Sequence, residues 1–269
     1  MNELKGKHVV LTGASQGLGA VMARALAAEG AELLLAARSA DKLAEVAKSL
    51  GAATRVLTQP TDVTLVSDRA SLMARARSEF GHIDVLINNA GVEDLGVYAK
   101  QEPAVLQRIV ETNLLAPMLL TREVLPDMLA RKAGHVVNIA SLAGRTGMPF
   151  GAAYSGSKGG LAEWSISLAA EIRDSGVSVS VICPGFVDET GMFSRKQAAA
   201  PRSIGASRPA DVARAVLRVL QSRKVEVVVN PKPVRLLMAL KALSPEAALA
   251  VGRRLGLVDF LRRISTHID

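Results

Sequence analysis

The chain reads as a doubly wound α/β fold, a mostly parallel seven-stranded sheet with helices on both faces, on three observations. Short apolar runs alternate with longer amphipathic stretches along the chain. The first run, Val9-Val10-Leu11, leads into a glycine loop from Thr12 to Gly19 and then a helical pattern at Leu18, Val21, Met22, Ala25 and Leu26. Unusual polar residues fall at the ends of successive strands, the rim on which such sheets gather their ligands. Regular alternation implies parallel strands joined by right-handed helical crossovers.

The elements follow in order. Glu32 to Ala36 is an apolar run and a second strand, and Asp41 to Leu50 is a helix closed by Gly51. Arg55 to Thr58 is a third strand, broken by Pro60; Thr64 to Phe80 is helical and ends at Gly81. Ile83 to Asn88 is a fourth strand, followed by Asn89-Ala90-Gly91, and a long helix runs from about Pro103 to Arg131. His135 to Ala140 is a fifth strand, Ala153 to Ser175 a helix, and Val177 to Ile182 an alternating sixth strand. Pro209 to Ser222 is helical, and Val225 to Val229 is a seventh strand. Without internal repeats or a Gly/Ser linker, residues 1–231 are expected to form one dinucleotide-binding and catalytic domain, and 232–269 its helical C-terminal extension.

Composition narrows the class. A single cysteine, Cys183, excludes a disulfide framework within the chain and suits a reducing compartment, so the expected location is cytoplasmic. No stretch of about 18 uncharged apolar residues offers a membrane span. The net charge is +8, but aromatic residues make up only 3%, few for stacking on nucleic acid, and no nucleic-acid partner is expected. Much of the charge is local: seven Lys/Arg face two Asp/Glu between Lys232 and Ile264. His8, His82, His135 and His267 lack metal-ligand spacing, and Cys183 beside Pro184 reads as a small buried residue, so no metal is expected.

The chemistry is carried by Tyr154 and Lys158. Four residues apart on a helix, they share a face. A free phenol titrates near ~10, and a cation held close favours its ionised form, which makes it a usable acid or base. In many helices the same pentapeptide is only a surface pair. The glycine loop adds to it: small residues admit a pyrophosphate, and the following helix N-terminus offers unpaired N–H groups. At the end of the second strand, where an acid would bind a ribose 2′-OH, the chain has Ala37 and then Arg38. A guanidinium there suits a 2′-phosphate, with Ser15 in support, and predicts NADP(H) over NAD.

Thr12-Gly-Ala-Ser-Gln-Gly-Leu-Gly19, Asp62-Val63, Asn88-Asn-Ala-Gly91, Asn113, Ser141, Tyr154 with Lys158, and Pro184-Gly185 occur in one order. Over roughly residues 5 to 231 the chain therefore resembles the short-chain dehydrogenase/reductase family. The resemblance implies a Rossmann sheet and an oxidoreductase that moves a hydride between a nicotinamide and a carbonyl or alcohol carbon. Tyr154 would be the acid in reduction and the base in oxidation; Lys158 would lower its pKa and bind the nicotinamide ribose. Ser141 would donate to the substrate oxygen, and Asn113 would hold a water in the proton relay. The implied cofactor contacts are Gly13, Ser15, Gln16, Gly17, Leu18 and Gly19 in the loop, Arg38, Asp62 and Val63 at the adenine, and Asn89 beside the adenosine ribose. Ala90, Gly91, Tyr154, Lys158, Pro184, Gly185, Val187 and Thr190, the last displaced from the family's usual threonine position, complete them. A homodimer or homotetramer, packed through the long helices after strands four and five, is also implied.

Two questions stay open at this level. The function is a carbonyl reductase or alcohol dehydrogenase, with a 3-oxoacyl or other lipid-type ketone reductase associated with membrane, and a non-catalytic NADP-binding interaction protein, as alternatives. Beyond the last strand, Leu257, Phe260, Leu261 and Ile264 form an apolar stripe beside Arg253, Arg254, Arg262 and Arg263. That segment is a packed helical tail, a lid over an apolar substrate pocket, or a weak contact with anionic membrane.

Overall fold

The computed structural model describes residues 4–51, 54–188, 200–201 and 204–265. Its strands are β1 (His8–Thr12), β2 (Glu32–Ala37), β3 (Val56–Pro60), β4 (Val85–Asn88), β5 (Gly134–Ile139), β6 (Val177–Pro184), β7 (Phe186–Val187), β8 (Ala206–Ser207) and β9 (Glu226–Val229). Seven form one parallel sheet in the order β3-β2-β1-β4-β5-β6-β9, while β7 and β8 make a separate parallel pair. The chain thus winds outward in opposite directions from β1 and β4. The loops leaving those two strands diverge and open a crevice at their C-terminal ends.

The helices are α1 (Gly17–Ala28), α2 (Ala40–Ser49), α3 (Val66–Phe80), α4 (Pro103–Val110), α5 (Ala116–Arg131), α6 (Leu142–Thr146), α7 (Ala152–Glu171), α8 (Pro209–Ser222), α9 (Arg235–Leu243), α10 (Pro245–Arg254) and α11 (Leu257–Ile264). They cover both faces of the sheet. Val9 and Leu11 of β1 and Leu33 and Leu35 of β2 pack against α1, α2 and α8; Val10 and Leu34 point the other way, among side chains of α3 and α5. All six are fully buried. This period of two with burial on both sides is why the parallel strands read as continuous apolar runs rather than alternating ones. Each such side chain contributes roughly 2 kcal/mol of burial free energy.

Local signals set the helix ends. Ser39 caps α2 by accepting the Lys42 N–H, and Asp211 accepts the Arg208 N–H at the start of α8, which opens on Pro209. Gly81, at φ +77°, ends α3.

Several expected boundaries differ. Pro60 does not break the third strand but closes it, pairing with Ala37: β3 is an edge strand, where a missing N–H facing outward costs no ladder bond. The long helix expected from Pro103 to Arg131 is interrupted by a π turn, Glu111–Leu115, between α4 and α5. Pro117 has no N–H to offer the Asn113 carbonyl four residues back, and the turn widens until the Ala116 N–H reaches the Glu111 carbonyl. The next helix stops at Glu171 rather than Ser175, and the C-terminal segment is three short helices, with Gly256 in the left-handed region before α11.

Candidate active site

A cavity of about 1520 Å³ opens at the crevice, lined from the loops after β1 to β6 and from the C-terminal segment. Its floor is bare main chain. Gly13 lies at φ +65°, and a Cβ there would stand 2.8 Å from Ala90 Cα; one on Gly19 would stand 2.0 Å from the Gly13 carbonyl oxygen. Only glycine lets these segments touch. Helix α1 starts here, and Gln16 gives it no side-chain cap, so its first-turn N–H groups remain available to an anion. Gly13, Ser15, Gln16, Gly17, Leu18 and Gly19 all line the cavity. The cradle fits the pyrophosphate of a dinucleotide.

Hydrogen bonds between β1 and β4 hold the cradle rigid. Thr12 Oγ1 accepts the N–H groups of Asn89 at 3.0 Å and Ala90 at 3.1 Å, and donates to the Ile87 carbonyl. The Asn89 amide donates to the carbonyls of Thr12 and Gly13 at 3.0 and 3.1 Å, so its side chain braces the glycine loop. Asn89, Ala90 and Gly91 still line the cavity, as do Arg38, Asp62, Val63, Pro184, Gly185 and Val187. Thr190 lies outside the described residues. Burial acts to raise the Asp62 carboxyl, but the N–H and hydroxyl of Thr64 and the nearby Arg38 guanidinium outweigh it and hold the group below the ordinary carboxylate range. Ser39 and Lys42 also line this cavity, so Arg38 is joined there by a second cation, with Ala37 in place of an acid.

At the other end, Ser141, Tyr154 and Lys158 line the same cavity. Ser141 caps α6 by accepting the Ala143 N–H at 3.1 Å and donates weakly to the Pro184 carbonyl at 3.5 Å. Tyr154 and Lys158 sit one turn apart on α7, and the buried Lys158 Nζ donates to the Ile139 carbonyl at 2.7 Å, at the end of β5. Burial, and then the Glu93 carboxylate, push the Tyr154 phenol well above its ordinary pKa; a hydrogen bond with Ser141 acts the other way and loses. The lowering expected from Lys158 therefore gives way to a raised phenol pKa. A shared helix face brings the two side chains together, but the long lysine stem carries the ammonium on to Ile139. Among the described residues no hydrogen bond joins it to the phenol.

Burial lowers Lys158 itself from 10.5 to about 8. The consequence for stability has a definite sign. Between about pH 8 and 10.5 the unfolded chain holds this proton and the folded chain has released it, so this group's contribution to stability rises with pH. Cys183, raised by burial from 9.0 to about 12, acts oppositely above pH 9, leaving pH 8 to 9 as the clean window. Urea midpoints for the wild type should rise relative to those of Lys158→Met across that interval. A constant difference would show that Lys158 keeps an ordinary pKa.

Asn113 is fully buried in the π turn. Its amide donates to the Val92 carbonyl at 2.8 Å and to Ser157 Oγ at 3.0 Å, and its oxygen accepts the Val92 N–H at 2.8 Å. The side chain thus clamps the loop after β4 onto α7.

Much of the remaining wall is apolar. Leu95, Met148, Phe186, Ile204, Val234 and Leu237 line it, with Leu257, Phe260, Leu261 and Ile264 of α11. Phe260 packs edge-on against Phe186 at 5.6 Å, and Lys241 Nζ donates to the Arg145 carbonyl at 3.0 Å, tying α9 to α6. The apolar stripe therefore faces the cavity of its own chain, and it is not the face a membrane could meet.

Sequence reasoning missed Ser39, Lys42, Glu93 and Met148, all of which line the cavity. Lys42 carried a usable signal, since it lies four residues beyond Arg38 in the first turn of α2. Glu93 and Met148 had none, because their loops have no periodicity. The fold also brings His8, His82 and Asp84 together, with their potential ligand atoms within 4.8 Å of one another at the opposite ends of β1 and β4. Asp84 there already accepts from Lys7 Nζ at 3.3 Å and the His8 N–H at 3.0 Å, with Arg131 at 4.0 Å, so its charge is compensated without a cation. His135, pushed down to about 4 by burial, stays neutral beside Ser180, and the raised Cys183 thiol stays protonated; neither is poised for chemistry.

Comparison with known proteins agrees with this geometry. The family model for short chain dehydrogenase matches residues 7–201. The ketoacyl reductase HetN of a Nostoc species is 43% identical over 266 residues, covering 97% of this chain and 93% of that protein. The dehydrogenase/reductase SDR family member 7B of Bos taurus is 36% identical over 251 residues, covering 88% and 77% respectively. Among solved structures, a metagenomic short-chain oxidoreductase in complex with NADP superposes with a TM-score of 0.73 at 36% identity, over 86% of this chain and 99% of its own. A point variant of the actinorhodin polyketide ketoreductase with NADPH gives 0.76 at 29% identity, over 83% and 95%. The glycine cradle, the Ser141, Tyr154 and Lys158 cluster and these matches lead to one conclusion: the chain belongs to the short-chain dehydrogenase family of oxidoreductases.

Proposed function

We propose that the protein is an NADP(H)-dependent reductase of apolar ketones, working through Ser141, Tyr154 and Lys158. The observation that carries this reading is the continuity of one cavity from Arg38 and Lys42, past the glycine cradle, to Tyr154 and on to an apolar chamber. The NADP and NADPH held by the structural relatives support the cofactor, and the name of the Nostoc relative supports a 3-oxoacyl or similar ketone. When bound, NADPH supplies the hydride. The chain's own residues handle the proton and the geometry. Ser141 donates a hydrogen bond to the substrate oxygen, and Tyr154 hands its phenol proton to the same atom as negative charge develops there. Lys158, still largely charged at neutral pH, binds the ribose and attracts the phenolate left behind. Asn113 positions the loop after β4, and the Asn113 carbonyl, which Pro117 cannot satisfy, is the group to hold a relay water.

The exposed Val110 and Leu115 lie on the outer face of the helices after β4, where a homodimer or homotetramer would pack. The test of function uses the purified full chain, NADPH, and a panel of ketones and acyl thioesters from small to long. Loss of the reduced-cofactor absorbance is expected, with kcat/KM rising with apolar length. Phe260→Ala, which removes part of the chamber wall, should lower kcat/KM for the longest substrates about tenfold more than for the smallest. Turnover with no member of the panel would return the chain to a non-catalytic NADP-binding role.

A further inference from the structure

The C-terminal segment has two faces, and the cavity uses only the inner one. Along α9, Leu237 and the preceding Val234 line the cavity, whereas Leu236 is 81% and Leu243 86% exposed. Those two leucines are seven residues apart and share a stripe, with the exposed Ala239 between them. On α10, which follows after Ser244, Leu249 is 58% exposed while Ala248 turns inward. Single exposed leucines are ordinary, but a group of them on two successive helices marks a contact surface. The charge around them is mainly positive. Arg235, Arg253 and Arg254 are exposed on these two helices, and among the described residues none of them makes an ion pair, whereas Arg262 of α11 lies over the Phe150 ring and Arg263 lines the cavity. Two acids, Glu246 and Asp259, face seven bases there.

We infer that the outer face of α9 and α10 rests on an anionic lipid bilayer, with Leu236, Leu243 and Leu249 at the headgroup boundary and the arginines on lipid phosphates. Charge decides the occupant. A second copy of this chain would set one basic surface against another, whereas an anionic surface complements both the charge and the leucines. No helix among the described residues is long and apolar enough to cross a membrane, so the contact is peripheral. The inference stands apart from the proposed reaction, although the two meet: the same wall that touches lipid outside encloses the apolar chamber inside.

Co-sedimentation of the full chain with vesicles tests it without any turnover, using phosphatidylglycerol and phosphatidylcholine in equal parts against phosphatidylcholine alone. Binding to the anionic vesicles should be at least about tenfold tighter and should fall away near 1 M salt, where screening acts within about 3 Å. Leu236→Ser with Leu243→Ser, and separately Arg253→Gln with Arg254→Gln, should each weaken it about tenfold at unchanged Tm. These side chains are exposed, so the fold survives their loss. No binding by the wild type, or equal binding by all three proteins, overturns the proposal. So does a leucine variant that binds lipid normally but loses self-association in sedimentation, which would assign the face to a second copy.

Discussion

Tyr154→Phe should lower kcat by between about a hundredfold and ten-thousandfold, while NADPH binding changes by less than about threefold. The ring stays, so the packing of α7 against the cavity is kept; what is lost is the oxygen that shares a hydrogen bond with Ser141. Among the described residues that oxygen is not needed to hold Lys158, whose ammonium is anchored on the Ile139 carbonyl. The ribose-binding end of the site should therefore survive, and the deficit should appear in kcat. The pH profile discriminates further. A wild-type rate that depends on a protonated phenol stays level through neutral pH, because burial and Glu93 hold that proton firmly. The residual rate of the variant should lose any tyrosine titration. A variant retaining more than about a tenth of wild-type turnover would assign the proton to another group.

Legibility in the sequence followed how local each physical cause was. Val9-Val10-Leu11 and Leu33-Leu34-Leu35 announced central parallel strands because burial on both faces leaves an unbroken apolar run. Gly13 and Gly19 were readable because the clash a side chain would cause there is almost unconditional. The π turn was half-visible: Pro117 stood four residues after Asn113, but nothing local said that the helix would widen rather than kink. The direction of the Tyr154 shift was not readable. It depends first on burial and then on Glu93, distant in sequence, while the Lys158 ammonium goes to a strand carbonyl rather than the phenol. Along α11 the stripe was legible as a stripe, yet the surface it covers was fixed only by where Phe186, Met148 and Leu95 had already been placed.

Arg38→Ala should weaken NADPH binding by roughly tenfold to a hundredfold and leave NADH binding nearly unchanged. A charge-assisted hydrogen bond to a phosphate is worth about 1.5–3 kcal/mol, and only the 2′-phosphate receives it. At about 1.4 kcal/mol per decade, that energy sets the range. Two features modify the loss. Lys42 lines the same cavity and leaves one cation behind, and Asp62, whose carboxyl the guanidinium helps to hold ionised, would then face the phosphate less well compensated. These act in opposite directions, so Arg38→Ala alone should not convert the enzyme to NADH. Ala37→Asp should do more of that work, since it places a repelling acceptor at the end of β2, where a 2′-OH would be welcome and a phosphate would not. The double variant should then prefer NADH outright. Dissociation constants for both reduced cofactors, measured by titration on all three variants, decide the matter: equal weakening of NADPH and NADH by Arg38→Ala would show that the guanidinium serves the cavity's shape and not the phosphate.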